Sequence, residues 1–187
     1  MKRPDVKVFV SDIFQEKAYL IYSDGNAIVI DPGNCYNSII KFVKNKHLNV
    51  LAVLLTHGHF DHCMSCKSFQ ENGVLVYIHS LDADKLYTDG NLANMFGIHF
   101  DKLFANRTIE EGELCIGNFE LLILHTPGHS AGSVCYIIDN YLFSGDIIFE
   151  NGIGRTDFYD GDYKQLMQSI QKIKPYLDNG YKLFPGH

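Results

Sequence analysis

The segment Thr56-His57-Gly58-His59-Phe60-Asp61-His62 packs three imidazoles and a carboxylate into six residues, directly after the apolar run Val50–Leu55. That run is continuous enough for a strand buried on both faces. The polar segment therefore begins where a rigid strand delivers a loop, the usual place for binding groups. Neutral imidazoles bind zinc or iron well, and a carboxylate adds negative charge and a hard oxygen donor. Gly58 is expected to let the backbone fold tightly, so that His57 and His59 converge on one ion. A His-rich surface loop without function is the competing explanation, and the density of ligand types after a core strand argues against it.

Three further positions share one logic: a strand, a small-residue turn, then a metal-competent side chain. His129 follows Thr126-Pro127-Gly128, Asp146 follows Ser144-Gly145, and His187 follows Pro185-Gly186. Each alone is weak, since a His or Asp after Gly is more often a turn residue. Their repetition after a dense ligand loop gives them weight.

The flanking pattern alternates strands and helices. Strands are expected over Val6–Val10, Ala18–Tyr22, Ala27–Ile30 and Val74–Ile78, with a hairpin turn at Ser23-Asp24-Gly25-Asn26. Phe119–His125, Ser133–Ile138, Tyr141–Ser144 and Tyr181–Phe184 complete the strands. Helices are expected over Ser38–Lys46, Met64–Asn72 and Tyr163–Tyr176, whose apolar residues recur at helical spacing. Ser80–Leu86 reads as a further helix capped by Ser80, with Asp82 and Asp84 in its first turn. Residues 88–112 read as an irregular excursion near the site. The mixture implies sheets covered by helices.

With 187 residues the chain fits one domain, and a formal charge of −6 argues against a nucleic-acid or anionic-membrane partner. A small-molecule substrate is expected instead. The apolar stretch behind the N-terminus is too short and too interrupted for a leader or a membrane span. Five scattered cysteines suit reduced thiols in a cytoplasm better than a disulfide framework.

In this order, His-x-His-x-Asp-His, Pro-Gly-His, Ser-Gly-Asp and a last Gly-His resemble the metallo-β-lactamase superfamily. Gly154-Arg155-Thr156-Asp157-Phe158 and Gly161-Asp162 are similar to its short glyoxalase II-like (hydroxyacylglutathione hydrolase-like) branch, and Asp31-Pro32-Gly33 matches the family's early turn. The resemblance covers nearly the whole chain. It implies an α/β fold, the αβ/βα four-layer sandwich, with two mixed β-sheets face to face, helices outside and metals at one edge. It also implies that His57, His59 and His129 hold one divalent ion and Asp61, His62 and His187 a second, with Asp146 bridging. Zinc is the first choice of metal, with iron or manganese compatible with the same donors. The implied activity is a metal-dependent hydrolase in which a metal-bridging hydroxide attacks a thioester or related ester. Asp61 would orient that nucleophile. Related sequences also include mononuclear iron persulfide dioxygenases, which would use His57, His129 and Asp146 on one iron. A metal-binding protein without catalysis is the third possibility.

The chain departs from that pattern in two places. Lys17-Ala18-Tyr19-Leu20 stands where relatives often have Asn-x-Tyr-Leu. Nothing follows His187, so the helical region that grips glutathione in glyoxalase II is absent from this sequence, and a short tail is expected beyond it. Arg155 and Asp157 are expected to form an ion pair that braces their loop, or Arg155 faces an anionic group of the substrate. His125 reads as a strand-end residue, with a supporting role to a ligand as the sharper alternative. Cys63 and Cys66 read as packing beneath the ligand loop.

Overall fold

A computed structural model describes residues 3–187, so Met1 and Lys2 of the N-terminal stretch discussed above lie outside the described residues. The strand β1 (Asp5–Val10) pairs antiparallel with β2 (Lys17–Ser23), which turns at Asp24-Gly25 into β3 (Asn26–Ile30). The helix α1 (Tyr36–Lys46) then crosses over to β4 (Asn49–Leu54), parallel to β3. Two short helices, α2 (Phe60–Cys63) and α3 (Cys66–Glu71), precede β5 (Leu75–His79), and β6 (Arg107–Ile109) closes this six-stranded sheet. The second sheet is built from β7 (Gly112–Ile116), β8 (Phe119–His125), β9 (Val134–Ile138) and β10 (Tyr141–Gly145), each antiparallel to the next. A small hairpin, β11 (Ile148–Phe149) and β12 (Gly152–Ile153), leads to the helix α4 (Tyr163–Asp178). The last strand, β13 (Lys182–Pro185), adds parallel to β10.

Side chains two apart on a strand share a face, and this period sorts the core into layers. Ile28 and Ile30 of β3 join Tyr19, Ala52 and Leu54 against Phe119, Ile123, Tyr136 and Phe143 of the facing sheet. Ala27 and Val29 point the other way, toward Ile39 and Val43 of α1 and Phe69 of α3. On the far side, Leu124, Cys135 and Leu142 pack against Leu166 and Ile173 of α4. The expected helix–sheet–sheet–helix sandwich is therefore what forms. Among the described residues no helix is long and apolar enough to cross a membrane.

Three expectations need correction. The helix over Met64–Asn72 is broken: α2 starts earlier, at Phe60, and α3 only at Cys66. Ser65 at the break donates its amide to the Gly33 carbonyl (2.8 Å), which ties it to the turn after β3. Asp61 and His62 consequently ride on a helical turn rather than an open loop. The segment after β5 is a 3-10 helix, Ser80–Leu86, and its N-cap is His79, whose Nδ1 accepts from the Leu81 amide at 3.3 Å. Asp82 turns inward instead of complementing a helix dipole, and it is fully buried. Residues 88–112, expected to be irregular, hold two more 3-10 turns, β6 and the start of β7.

The buried Asp82 ties together the loops that carry the ligand-type residues. Its Oδ2 accepts from the Gly58 amide and the Ser130 hydroxyl, both at 2.8 Å. Its Oδ1 accepts from the Gly132 amide (2.7 Å) and from Lys85 Nζ (2.8 Å). Lys85, also fully buried, donates a second bond to Asp160 Oδ2 (2.6 Å), which in turn accepts from the Ala131 amide. Gly58 is needed for close approach and not for unusual backbone freedom, since a Cβ there would lie 2.7 Å from Lys85 Cβ. At Gly128 both constraints act: its φ is +134°, and a Cβ would fall 2.2 Å from the Leu166 amide of α4. Removing one partner of a buried, hydrogen-bonded ion pair strands the other charge. Asp82→Ala should therefore cost about 3 kcal/mol of unfolding free energy, read from urea denaturation, and an unchanged midpoint would contradict this role.

Candidate metal centre

All seven residues singled out as metal ligands meet at one edge of the sandwich. His57 and His59 leave the end of β4, Asp61 and His62 lie on α2, and His129 follows β8. Asp146 follows β10 and His187 follows β13. Parallel pairing of β10 with β13 brings those two ends side by side.

The contacts divide into groups. His57, His59 and His129 bring ligand atoms within 4.8 Å of one another, as do Asp61, His62 and His187. His59 Nδ1 faces His129 Nε2 at 2.9 Å. Asp146 stands between the groups, with Oδ1 3.4 Å from His62 Nε2 and Oδ2 3.5 Å from His129 Nε2 and 3.6 Å from His187 Nε2. His187 Nε2 is also 3.5 Å from Asp61 Oδ2. Two donors each about 2.0–2.1 Å from one tetrahedral zinc lie roughly 3.3 Å apart, so these separations suit side chains sharing an ion.

Outer contacts aim the rings. The turn after β3 presents Asp31, whose Oδ1 accepts from the Thr56 amide (2.8 Å) and whose Oδ2 accepts from the Thr56 hydroxyl (2.6 Å). The same Oδ2 accepts from His62 Nδ1 at 3.0 Å, so His62 turns its Nε2 to the centre. Thr56 Oγ1 lies 3.1 Å from His57 Nδ1 and does the same for that ring. His129 Nδ1 donates to the Arg155 carbonyl at 2.8 Å. A histidine whose second nitrogen is anchored this way has its tautomer and orientation fixed.

What these side chains lack decides the chemistry. His57 Nε2, His59 Nε2, His62 Nε2 and Asp146 Oδ1 are buried and have no hydrogen-bond partner. Buried polar atoms are nearly always satisfied, and imidazole nitrogens with a carboxylate are a donor set that fits zinc, iron or manganese. Burial, then the neighbouring rings, hold His57 and His59 well below the ordinary histidine range, in the neutral form a metal requires. For His62, burial pulls downward, but Asp146, Asp61 and Asp31 outweigh it and hold the ring well above that range. Burial pushes the Asp146 carboxyl up, yet His62, His129 and His187 outweigh it and leave it well below the carboxylate range.

A cavity of about 370 Å³ opens beside this cluster and contains Asp61, Asp146 and His187 in its wall. Leu92 and Phe96, from the segment expected to lie near the site, line it too. Arg155 borders the cavity while its Nε and Nη2 donate to Asp157 at 2.6 Å each, the bracing ion pair expected of that loop. His125 does not serve a ligand: it stacks on His79 with ring centres 4.3 Å apart and donates to the Ala131 carbonyl. His99 is exposed beside Asp101, and His47 ends α1. Cys63 and Cys66 are fully buried beneath the loop, and burial pushes the Cys63 thiol well up, against a reactive thiolate. Sequence reasoning gave Asp31 only a turn and Asp82 only a place in a helix's first turn, and it assigned nothing to Lys85 or Asp160. Asp31 had a signal, a carboxylate at a strand end before Pro-Gly, whereas the other three act only through contacts distant in sequence.

Residues 12–187 match the metallo-beta-lactamase superfamily. The chain is 38% identical over 180 residues to the probable metallo-hydrolase YqgX of Bacillus subtilis, covering 92% of this chain and 85% of that protein. It is 33% identical over 192 residues to the hydroxyacylglutathione hydrolase GloC of Haemophilus influenzae, covering 98% and 90%. Its fold superposes on TTHA1623, solved in a di-iron-bound form, with a TM-score of 0.87 at 31% identity over 97% of this chain and 92% of that one. With its ligand-type residues converging at one sandwich edge and its sequence matched from residue 12 to the end, the chain belongs to the metallo-beta-lactamase superfamily.

Proposed function

We propose that this protein is a cytoplasmic hydrolase of thioesters or related esters that works with two divalent metal ions, zinc first, with iron or manganese as alternatives. The observation that carries it is the set of four buried polar atoms on the candidate ligands, three imidazole nitrogens and one carboxylate oxygen, that make no hydrogen bond. Similarity to a hydroxyacylglutathione hydrolase supports thioester chemistry, and similarity to a chain solved with two irons supports the two-ion count.

In this reading His57, His59 and His129 hold one ion, Asp61, His62 and His187 hold the other, and Asp146 serves both. Ions bound there make water more acidic and polarise a carbonyl. Asp61, reaching into the cavity wall, orients the attacking water toward the acyl carbon. One water is added across the acyl–sulfur bond. A C–O bond forms, the C–S bond breaks, the sulfur leaves as thiol, and the new acid gives its proton to solvent. Asp31 acts through His62 and Thr56 as a positioning residue. Arg155, braced by Asp157, borders the substrate. A one-iron persulfide dioxygenase would need only His57, His129 and Asp146, and the tight Asp61–His62–His187 grouping favours two ions over one.

Zinc-loaded protein should hydrolyse members of a thioester panel, followed by thiol release, and Asp61→Asn should lower kcat by about a hundredfold or more. Full activity in that variant, with oxygen consumed on a persulfide, would support the one-iron chemistry instead. Asp31→Ala should weaken metal binding by roughly 10–100-fold, measured by chelator competition, because His62 loses its anchor. Unchanged affinity would contradict the orienting role.

A further inference from the structure

The cavity beside Asp61 and Asp146 is walled by Phe14, Phe60, Leu92, Phe96, Phe149 and Phe158. Phe14 and Phe96 both pack on Phe60, with ring centres 5.1 and 5.5 Å apart, and Phe158 packs edge-on against His59 at 5.0 Å. The aromatic wall therefore runs up to the candidate ligands themselves. At the mouth, Phe96 is 49% and Ile153 41% exposed, apolar surface that a bound molecule would cover. Among the described residues, Arg155 is the one Lys or Arg in the lining. Its guanidinium is held at both Nε and Nη2 by Asp157 and lies 4.5 Å above the Phe158 ring. A glutathione conjugate carries two carboxylates and peptide groups that call for free cations and donors, and this cavity offers an aromatic wall and a single arginine already paired with Asp157.

Resting on the hydrolase reading above, we propose that the cavity selects thioesters or esters with an apolar acyl chain, aliphatic or aryl, over glutathione conjugates of hydroxy acids. A volume of about 370 Å³ sits at the small end of ligand cavities, roughly 300–1,000 Å³, and so suits a short chain. Each methylene buried against such walls contributes roughly a fourfold gain, until the cavity is filled.

The test uses the zinc-loaded full chain and one thiol, N-acetylcysteamine, acylated from acetyl to octanoyl, beside S-lactoylglutathione. The expected result is a rise in kcat/KM of at least tenfold from acetyl to hexanoyl, carried mainly by KM, with hexanoyl above lactoylglutathione. Phe96→Ser should flatten that series at least fivefold. In parallel, calorimetry should show the non-hydrolysable S-hexyl thioether binding at least tenfold more tightly than the S-methyl one. A flat chain-length series, or a preference for lactoylglutathione, overturns the acyl inference and leaves the hydrolase intact. If no ester turns over yet the thioethers still discriminate, the hydrolase reading falls and the apolar selectivity of the cavity stands. Thioethers that bind alike overturn that selectivity whatever turns over.

Discussion

A buried polar atom left without a partner costs about 1–3 kcal/mol, and this chain gathers four such atoms within one cluster. Domains of this kind are stable by only about 5–15 kcal/mol, so a cluster like this is a large concession for the apoprotein. It makes sense when something outside the chain completes it. Metal ions would do so directly: His57 and His59 are already held neutral and Asp146 ionised, whereas His62, held above the histidine range by its carboxylate neighbours, would give up a proton on coordination. The surrounding structure follows from keeping these side chains aimed inward. Asp31 fixes His62 and, through Thr56, the ring of His57, while the Arg155 carbonyl fixes His129.

The sandwich turns these local anchors into one site. Two sheets packed face to face, each contributing strand ends to a single edge, bring together residues separated by as much as the span from His57 to His187. Buried Asp82 then holds the loop of Gly58 to that of Ser130 and Gly132, and Lys85 extends the tie to Asp160. Positive and negative charge alternate through this network, which keeps a buried lysine tolerable. Its effect on chemistry is indirect: it fixes the loops that carry the candidate ligands.

Much of this was legible in the residues. Short apolar, β-rich runs, with Val50–Leu55 a continuous one, marked the strands, and their expected bounds fall within a residue or two of those formed. The ligand loop stood out because its members are adjacent in sequence, and the later three because each follows a strand and a glycine turn. What stayed hidden is long-range. Asp82 reads locally as a first-turn acid, and only the fold sets Gly132 and Ser130 against it. The strand β7 was missed because its outward positions, Glu113 and Cys115, look like loop residues between two turns. The aromatic wall was invisible for a similar reason, since its phenylalanines come from five separate segments. The break at Ser65 depends on the Gly33 carbonyl, which no helical pattern could reveal.

Metal content per chain decides whether the cluster holds two ions. Elemental mass spectrometry would be run on protein purified without a His-tag and without added metal, alongside an Asp61→Ala, His62→Ala double variant. Two-ion binding at this edge gives about two equivalents of zinc, iron or manganese in the wild-type chain and about one in the variant. Folded protein carrying no bound metal, or two equivalents undiminished in the variant, would rule it out.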